Sequence, residues 1–269
     1  MNVITIPVAT GSLTYIVIDA VSGSTAAVDP SEPSAIISYC LDHGLDVPSQ
    51  IWITNGDNNH SRGNKFFYEN YPQTSILGGV KDYVPYVNCK LSDCDCFNLG
   101  SIKVSSISSP CRTVGHVMYL AEHGSRRCLF SGDTMFISEC GPFVEPTPEE
   151  MFDNLKKIYE MGPNTEIYWG HDYIVKNLRF AEAVDPDNQY VIRKLKLELK
   201  RVRNGKSPTP STVKEELLYN PLMRLETAAV RKYTGYHKDP VETLRELWEH
   251  NKKTLNTVED VNQKPSCQL

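Results

Sequence analysis

The stretch Ile51-Trp52-Ile53-Thr54-Asn55-Gly56-Asp57-Asn58-Asn59-His60 joins two kinds of sequence. Its first three residues are large, apolar and suited to a pleated surface, which predicts a short strand buried on both faces. From Thr54 onward the side chains are polar or absent, and the run ends on a histidine. Polar residues beside a glycine at the end of a buried strand are typical of sites held by a rigid sheet.

Outward from this stretch the first half reads as strands broken by turns. Ile4–Val8, Leu13–Asp19 and Ala26–Asp29 are β-rich runs bounded by Gly, Ser and Pro. A helix is predicted over Pro33–His43, opened by Pro33 and stopped by Gly44, and a short one over Gly63–Tyr71. Further strands are expected at Ile76–Leu77, Ile102–Ile107, Val117–Leu120 and Cys128–Phe130. Beyond Pro148 the period changes. Glu149–Met161 places Met151, Phe152, Leu155 and Ile158 on one helical face. Ile167–Trp169 reads as one more strand, followed by helices over Tyr173–Val184, Asn188–Asn204 and Asp239–Leu255. Residues 188–269 carry almost no strand signal, and a frayed tail is expected from Thr257. The pattern predicts an α/β body over residues 1–175 and a helical region over 176–269.

The chain has 269 residues, 40% hydrophobic and 23% charged, enough to bury a sizeable core without disulfides. Its net charge of −5 disfavours nucleic acid or an anionic membrane as partner. The cationic run Arg193, Lys194, Lys196, Lys200, Arg201 and Arg203 therefore reads as a solvated helix face. The eight cysteines are scattered, and Cys89, Cys94 and Cys96 lack the paired spacing of a zinc site. The start of the chain shows no basic segment followed by an apolar one, so a cytoplasmic chain with reduced thiols is expected. No apolar run approaches the length of a membrane span.

Three more polar elements follow or flank strand-like segments: Gly115-His116, Gly132-Asp133-Thr134 and Gly170-His171-Asp172-Tyr173. Each alone is commonplace. Together with His60 they place histidines and an aspartate at several strand ends, where they could converge on a metal ion.

In this order the elements resemble glyoxalase II, the hydroxyacylglutathione hydrolases of the metallo-β-lactamase superfamily. The resemblance runs through Val28-Asp29-Pro30, Pro110–His116, Ser131–Phe136 with Cys140-Gly141 after it, and Tyr168–Tyr173. In the helical region it rests on Pro210-Ser211-Thr212, Glu215-Glu216, Tyr219-Asn220-Pro221 and Met223-Arg224. It implies an αββα sandwich followed by a helical substrate-binding region. It also implies a two-metal centre that activates water and polarises a thioester carbonyl.

The departures from that family fall on the site itself. The family signature Thr-His-x-His-x-Asp-His reads here Thr54-Asn55-Gly56-Asp57-Asn58-Asn59-His60. Asn55 and Asp57 stand in place of two histidines of the first metal position, leaving His116 and Asp133 there with Asp57 as a weak third donor. Asn59 replaces an aspartate of the second position and can neither hold negative charge nor act as a base. That position keeps His60, Asp133 and His171, a set able to hold one Zn, Fe or Mn ion. Asp57 would favour harder ions. The catalytic expectation therefore rests on Asp133 and on a degenerate Asn59.

The resemblance places thiol-carrier recognition after Cys140-Gly141, on Tyr173 and on the last helix. Here the first of these reads Pro142, Phe143 and Val144, and the last helix reads Trp248-Glu249-His250-Asn251 with Lys252 beyond. Tyr173, Phe143, Trp248 and Lys252 are the residues expected to meet a ligand. The joint drift of both sites predicts loss of the original reaction. The expectation is an inactive binding or scaffolding module, holding either no metal or one divalent ion. Its partner would be an unidentified protein or a small thioester-like ligand. The alternative is a one-metal hydrolase of another thioester or ester. A third reading, thiol chemistry at Cys111 or Cys140, is set against the tendency of such residues to pack as small apolar groups.

Overall fold

A computed structural model describes residues 1–8, 11–141 and 147–262, with side chains as far as residue 252. The first sheet runs β1 (Asn2–Pro7), β2 (Leu13–Ile18), β3 (Thr25–Val28), β4 (Gln50–Trp52), β5 (Ser75–Gly79) and β6 (Cys89–Leu91), in that spatial order. The pairs β1–β2 and β2–β3 are antiparallel, and those from β3 to β6 are parallel. The second sheet starts with β7 (Cys96–Leu99), β8 (Ile102–Ser108), β9 (Val117–His123) and β10 (Arg126–Gly132), antiparallel neighbours throughout. A small hairpin follows, β11 (Met135–Phe136) and β12 (Glu139–Cys140), and then β13 (Glu166–Trp169), which joins β10 in parallel.

Side-chain alternation decides which layers these sheets separate. On β2, Leu13, Tyr15 and Val17 enter the core between the sheets, while Ile16 faces the other way. After β3 and β4 the same rule puts Val28 and Trp52 inside, and Ala27, Ile51 and Ile53 outside. The outer face is covered by α1 (Pro33–Asp42) through Ile36 and Cys40, and by α3 (Asn64–Asn70) through Phe67. A four-residue turn, α2 (Asn58–Ser61), precedes α3. The second sheet is backed by α4 (Pro148–Glu160), whose Met151, Leu155 and Ile158 are buried and whose start carries a Thr147/Glu150 capping box. The expected layering of helix, sheet, sheet and helix is what the chain adopts.

The later helices are α5 (Ile174–Val184), α6 (Gln189–Arg203), α7 (Val213–Tyr219), α8 (Ala228–Tyr233) and α9 (Pro240–Asn262). Among the described residues no helix is long and apolar enough to cross a membrane. One strand lies where none was expected. β14 (Ser211–Thr212) pairs antiparallel with β13 and extends the second sheet from within the helical region. Two residues are too short to leave a periodic signal, so pairing with a distant strand defines this element. The apolar core is also continuous across the expected boundary, running from Leu129 and Trp169 to Val191, Leu195 and Leu247. The expected fraying at Thr257 is not what the backbone shows, since α9 runs on to Asn262.

Not all of the cationic α6 face is free. Lys194 and Arg201 both pair with Glu198, which is buried, and Arg201 reaches on to Asp172 at 3.0 Å. The helix is thereby fastened to the segment that follows β13.

Candidate metal centre

Four strand ends converge on Asp133. His60 Nε2 lies 3.1 Å from Asp133 Oδ2, and His171 Nε2 lies 3.3 Å from Asp133 Oδ1. The rings of His60 and His171 stand edge to face at 5.3 Å. Among the described residues, His60, Asp133 and His171 are the one group of three whose ligating atoms all lie within 4.8 Å of one another. All three are buried. Asp133 Oδ1 is buried without a hydrogen bond, an orphan acceptor that a cation would satisfy. By donor type, spacing and this unmet acceptor, the three residues fit one divalent ion.

Each histidine is held from behind. The ring Nδ1 of His60 donates to Asp29 Oδ2 at 2.8 Å, and Asp29 is itself fixed by the backbone N–H and hydroxyl of Thr54 at 2.8 and 2.7 Å. Asp29 ends β3 in a left-handed conformation, φ 47°. His171 Nδ1 faces Ser12 Oγ at 3.4 Å, across an isolated bridge between the two residues. Gly132 is required where it stands. Its φ is +52°, and a Cβ there would meet His116 Nε2 at 2.6 Å and Thr54 at 2.7 Å.

Charge follows from this packing. Burial alone would lower the pKa of His60, but the Asp133 and Asp29 carboxylates hold it well above the usual histidine value. Burial alone would raise Asp133, and His60 and His171 instead hold it well below the usual carboxylate range. His116 behaves differently. Burial pushes it down to about 4, so its ring is neutral near pH 7.

The residues expected at the first metal position are engaged with other groups of the chain. His116 Nε2 accepts the backbone N–H of Asp133 at 3.1 Å, which leaves the proton on Nδ1, 2.9 Å from Ser109 Oγ. Both ring nitrogens are engaged, and the structure does not bring His116 into the cation group. Asn55 is fully buried. Its amide donates to Asp133 Oδ2 at 3.3 Å, and its Oδ1 accepts the Asp57 N–H at 2.9 Å. Asp57 turns away from the cluster. Its carboxylate caps α2 by accepting the Asn59 N–H, and it pairs with Arg112. Asn59 is exposed on α2.

The expected ligand residues are dispersed. Tyr173 is 44% exposed and stacks on His171 with ring centroids 5.2 Å apart. Trp248 is half-buried against the core, with the Lys252 ammonium 4.9 Å from its ring centroid. Phe143 lies outside the described residues. Cys111 and Cys140 are fully buried, and burial pushes both thiols far up, which removes the thiolate that thiol chemistry needs. Asp29 and Ser12 received no role from the sequence. The Asp29-Pro30 pair is the one local sign in the sequence of a constrained backbone there.

The chain matches the family model for the hydroxyacylglutathione hydrolase C-terminus over residues 172–253. A metallo-β-lactamase from Staphylococcus aureus superimposes with a TM-score of 0.65 at 16% identity, covering 93% of this chain and 72% of that one. The fold is therefore that of the metallo-β-lactamases. A cytoplasmic hydroxyacylglutathione hydrolase of Arabidopsis thaliana is 33% identical over 94% of this chain and 98% of its own length. A hydroxyacylglutathione hydrolase-like protein of Gallus gallus is 34% identical over 92% and 88%. The chain belongs to the hydroxyacylglutathione hydrolase, or glyoxalase II, family.

Proposed function

We propose that this chain is a binding member of its family, without hydroxyacylglutathione hydrolase activity and with one divalent-cation position. The observation that carries the reading is Asn55. Its neutral amide sits against Asp133 where the family signature has a metal-binding histidine, and it is bonded at both ends. An amide is a weak, neutral donor that suits zinc poorly. The exposed, neutral Asn59 supports the same reading, because no carboxylate stands there to take a proton from water.

His60, Asp133 and His171 would hold the remaining ion, and such an ion supplies Lewis acidity toward a carbonyl oxygen. The chain's own contribution is orientation: Asp29 fixes the His60 ring, Ser12 faces the far nitrogen of His171, and Tyr173 covers its face. That intact backing favours a second reading, a one-metal hydrolase acting on another thioester or ester. The Arabidopsis relative is described as cytoplasmic, and the proposal keeps this chain in the same compartment.

The test is elemental analysis of chain purified without chelators or a metal-binding tag, with Zn, Fe and Mn supplied in growth, together with a hydroxyacylglutathione hydrolysis assay. At most one ion per chain, lost in His171→Ala, with no hydrolysis, is the expected result. Two ions per chain, or turnover at the roughly 1–1000 s⁻¹ usual for enzymes, would overturn it. Turnover of another thioester or ester, abolished by His171→Ala, would select the second reading.

A further inference from the structure

The described cysteines fall into two groups. Cys40, Cys111, Cys128 and Cys140 are buried, and Cys89 is half-buried against the core. Burial pushes the first four thiols up, which keeps them protonated and out of thiol chemistry. Cys94 and Cys96 are exposed, and a single residue, Asp95, separates them. Neither belongs to the cation group or to the core.

The turn that carries this pair joins β6 of the first sheet to β7 of the second. Its main chain is fastened to β8. The Cys94 N–H donates to the Ser106 carbonyl at 2.9 Å, and the Ser106 N–H donates to the Asp95 carbonyl at 2.9 Å. The Ser106 hydroxyl donates to the Ser92 carbonyl at 2.6 Å. The backbone is therefore fixed while both thiols stay open to solvent. Cys96 Sγ lies 3.5 Å from the Cys94 carbonyl oxygen and 3.4 Å from the Ser105 hydroxyl, so the later thiol leans back over the earlier residue. Two residues of chain hold the Cα atoms within about 7 Å of each other, the outer reach of a disulfide. At that range a second thiol meets a mixed disulfide at an effective concentration that no free thiol in solution reaches.

We propose that Cys94 and Cys96 form a reversible dithiol–disulfide couple whose substrates are small-molecule disulfides. One cysteine thiolate attacks a sulfur of the small disulfide. A bond forms between protein and ligand sulfurs, the ligand's own S–S bond breaks, and one small thiolate leaves. The other cysteine thiolate then attacks the protein-side sulfur of this mixed disulfide. The Cys94–Cys96 bond forms and the second small thiolate leaves. Two electrons pass from the cysteines to the small disulfide, and the two protons that the cysteines lose end on the two released thiols. Excess small thiol drives the same steps backward. In a reducing compartment such a bond is transient, as redox-active disulfides there are. The couple lies outside the metal centre and does not depend on the binding reading above.

The experiment incubates the folded full chain with hydroxyethyl disulfide at rising ratios to mercaptoethanol. Acid stops the exchange, the remaining thiols are alkylated in denaturant, and trypsin then cuts after Lys90 and Lys103. The released peptide 91–103 holds Cys94 and Cys96 and no other cysteine. Mass spectrometry should show it passing from two alkyl groups to none, at a mass two hydrogen atoms below the free dithiol, and dithiothreitol should reverse the change. Cys94→Ser and Cys96→Ser should each stop at the mixed disulfide, with one mercaptoethanol retained on the remaining cysteine. The peptides of Cys40, Cys111, Cys128 and Cys140 should stay alkylated throughout. Two alkyl groups still present at the most oxidising ratio would overturn the proposal, as would a bond from either residue to Cys89, to Cys267 or to a second chain. Mixed disulfide accumulating in the unsubstituted chain without the internal bond would also overturn it. So would oxidation of the buried cysteines to the same extent.

Discussion

Asp57 and Arg112 form a two-point ion pair, with the carboxylate Oδ2 2.9 Å from Nη2 and 3.2 Å from Nε of the guanidinium. The pair ties the turn after β4 to the loop before β9. It gives Asp57 a cation from its own chain, and the same carboxylate caps α2. Asp57 thus makes two structural contacts at a position where the resemblance implies a metal-binding histidine.

Asp57→Ala tests that assignment. Loss of an N-cap costs about 1 kcal/mol, and a half-exposed ion pair adds at most about 1 kcal/mol. Denaturant unfolding should show a destabilisation of about 1–2 kcal/mol, with bound metal unchanged. A fall in metal content would return Asp57 to the ligand set.

Restoring the family signature with Asn55→His, Asp57→His and Asn59→Asp should raise metal uptake. Hydroxyacylglutathione hydrolysis should stay low, because Pro142 and Trp248 still stand where the resemblance places thiol-carrier recognition. Strong hydrolysis by this triple variant would refute the importance given to the ligand-side changes.

Asp29→Asn keeps the shape at the end of β3 and removes the charge that faces His60 Nδ1. Loss of such backing typically lowers metal affinity 10–100-fold. A competition titration against a chelator of known affinity measures this. An unchanged affinity would mean that the ion sits elsewhere.

Glu139 makes stability fall with pH. Its folded pKa, pushed up to about 8 by burial, lies above the ordinary value of 4.5. Between those two values the folded chain holds a proton that the unfolded chain has released, so stability is lost as pH rises through this window. Glu139→Gln mimics the protonated form. Its Tm should match that of the unsubstituted chain near pH 4.5 and exceed it near pH 8.5. A constant difference at all pH values would show that Glu139 does not titrate in the native state.

The sandwich was readable because its strands carry their own signal: Ile51–Ile53 and Leu13–Asp19 are apolar runs that no surface element would bear. His60, Asp133 and His171 were readable because each follows a strand. The structure brings those three together, and it does not bring His116 or Asp57 with them. The difference is made by contacts at long sequence separation. Arg112 lies 55 residues from Asp57, and the N–H that occupies His116 comes from Asp133, 17 residues on. No local pattern reports either. The capping role of Asp57 was visible in principle, since an aspartate before a short polar turn is a common helix start. β14 was invisible for the same reason as the ion pair, because two residues become a strand only when β13 lies alongside.

That last pairing sets an order for synthesis. β13 has a free edge from the time it forms until Ser211 and Thr212 have been made, and the apolar face that receives Leu247 waits longer still. His171 sits directly after this unfinished edge. A nascent or prematurely ended chain would carry an open strand and a bare core, the combination that drives association between copies. The sheet that carries Asp133 and leads into His171 thus gains its last strand only once Ser211 and Thr212 have been made.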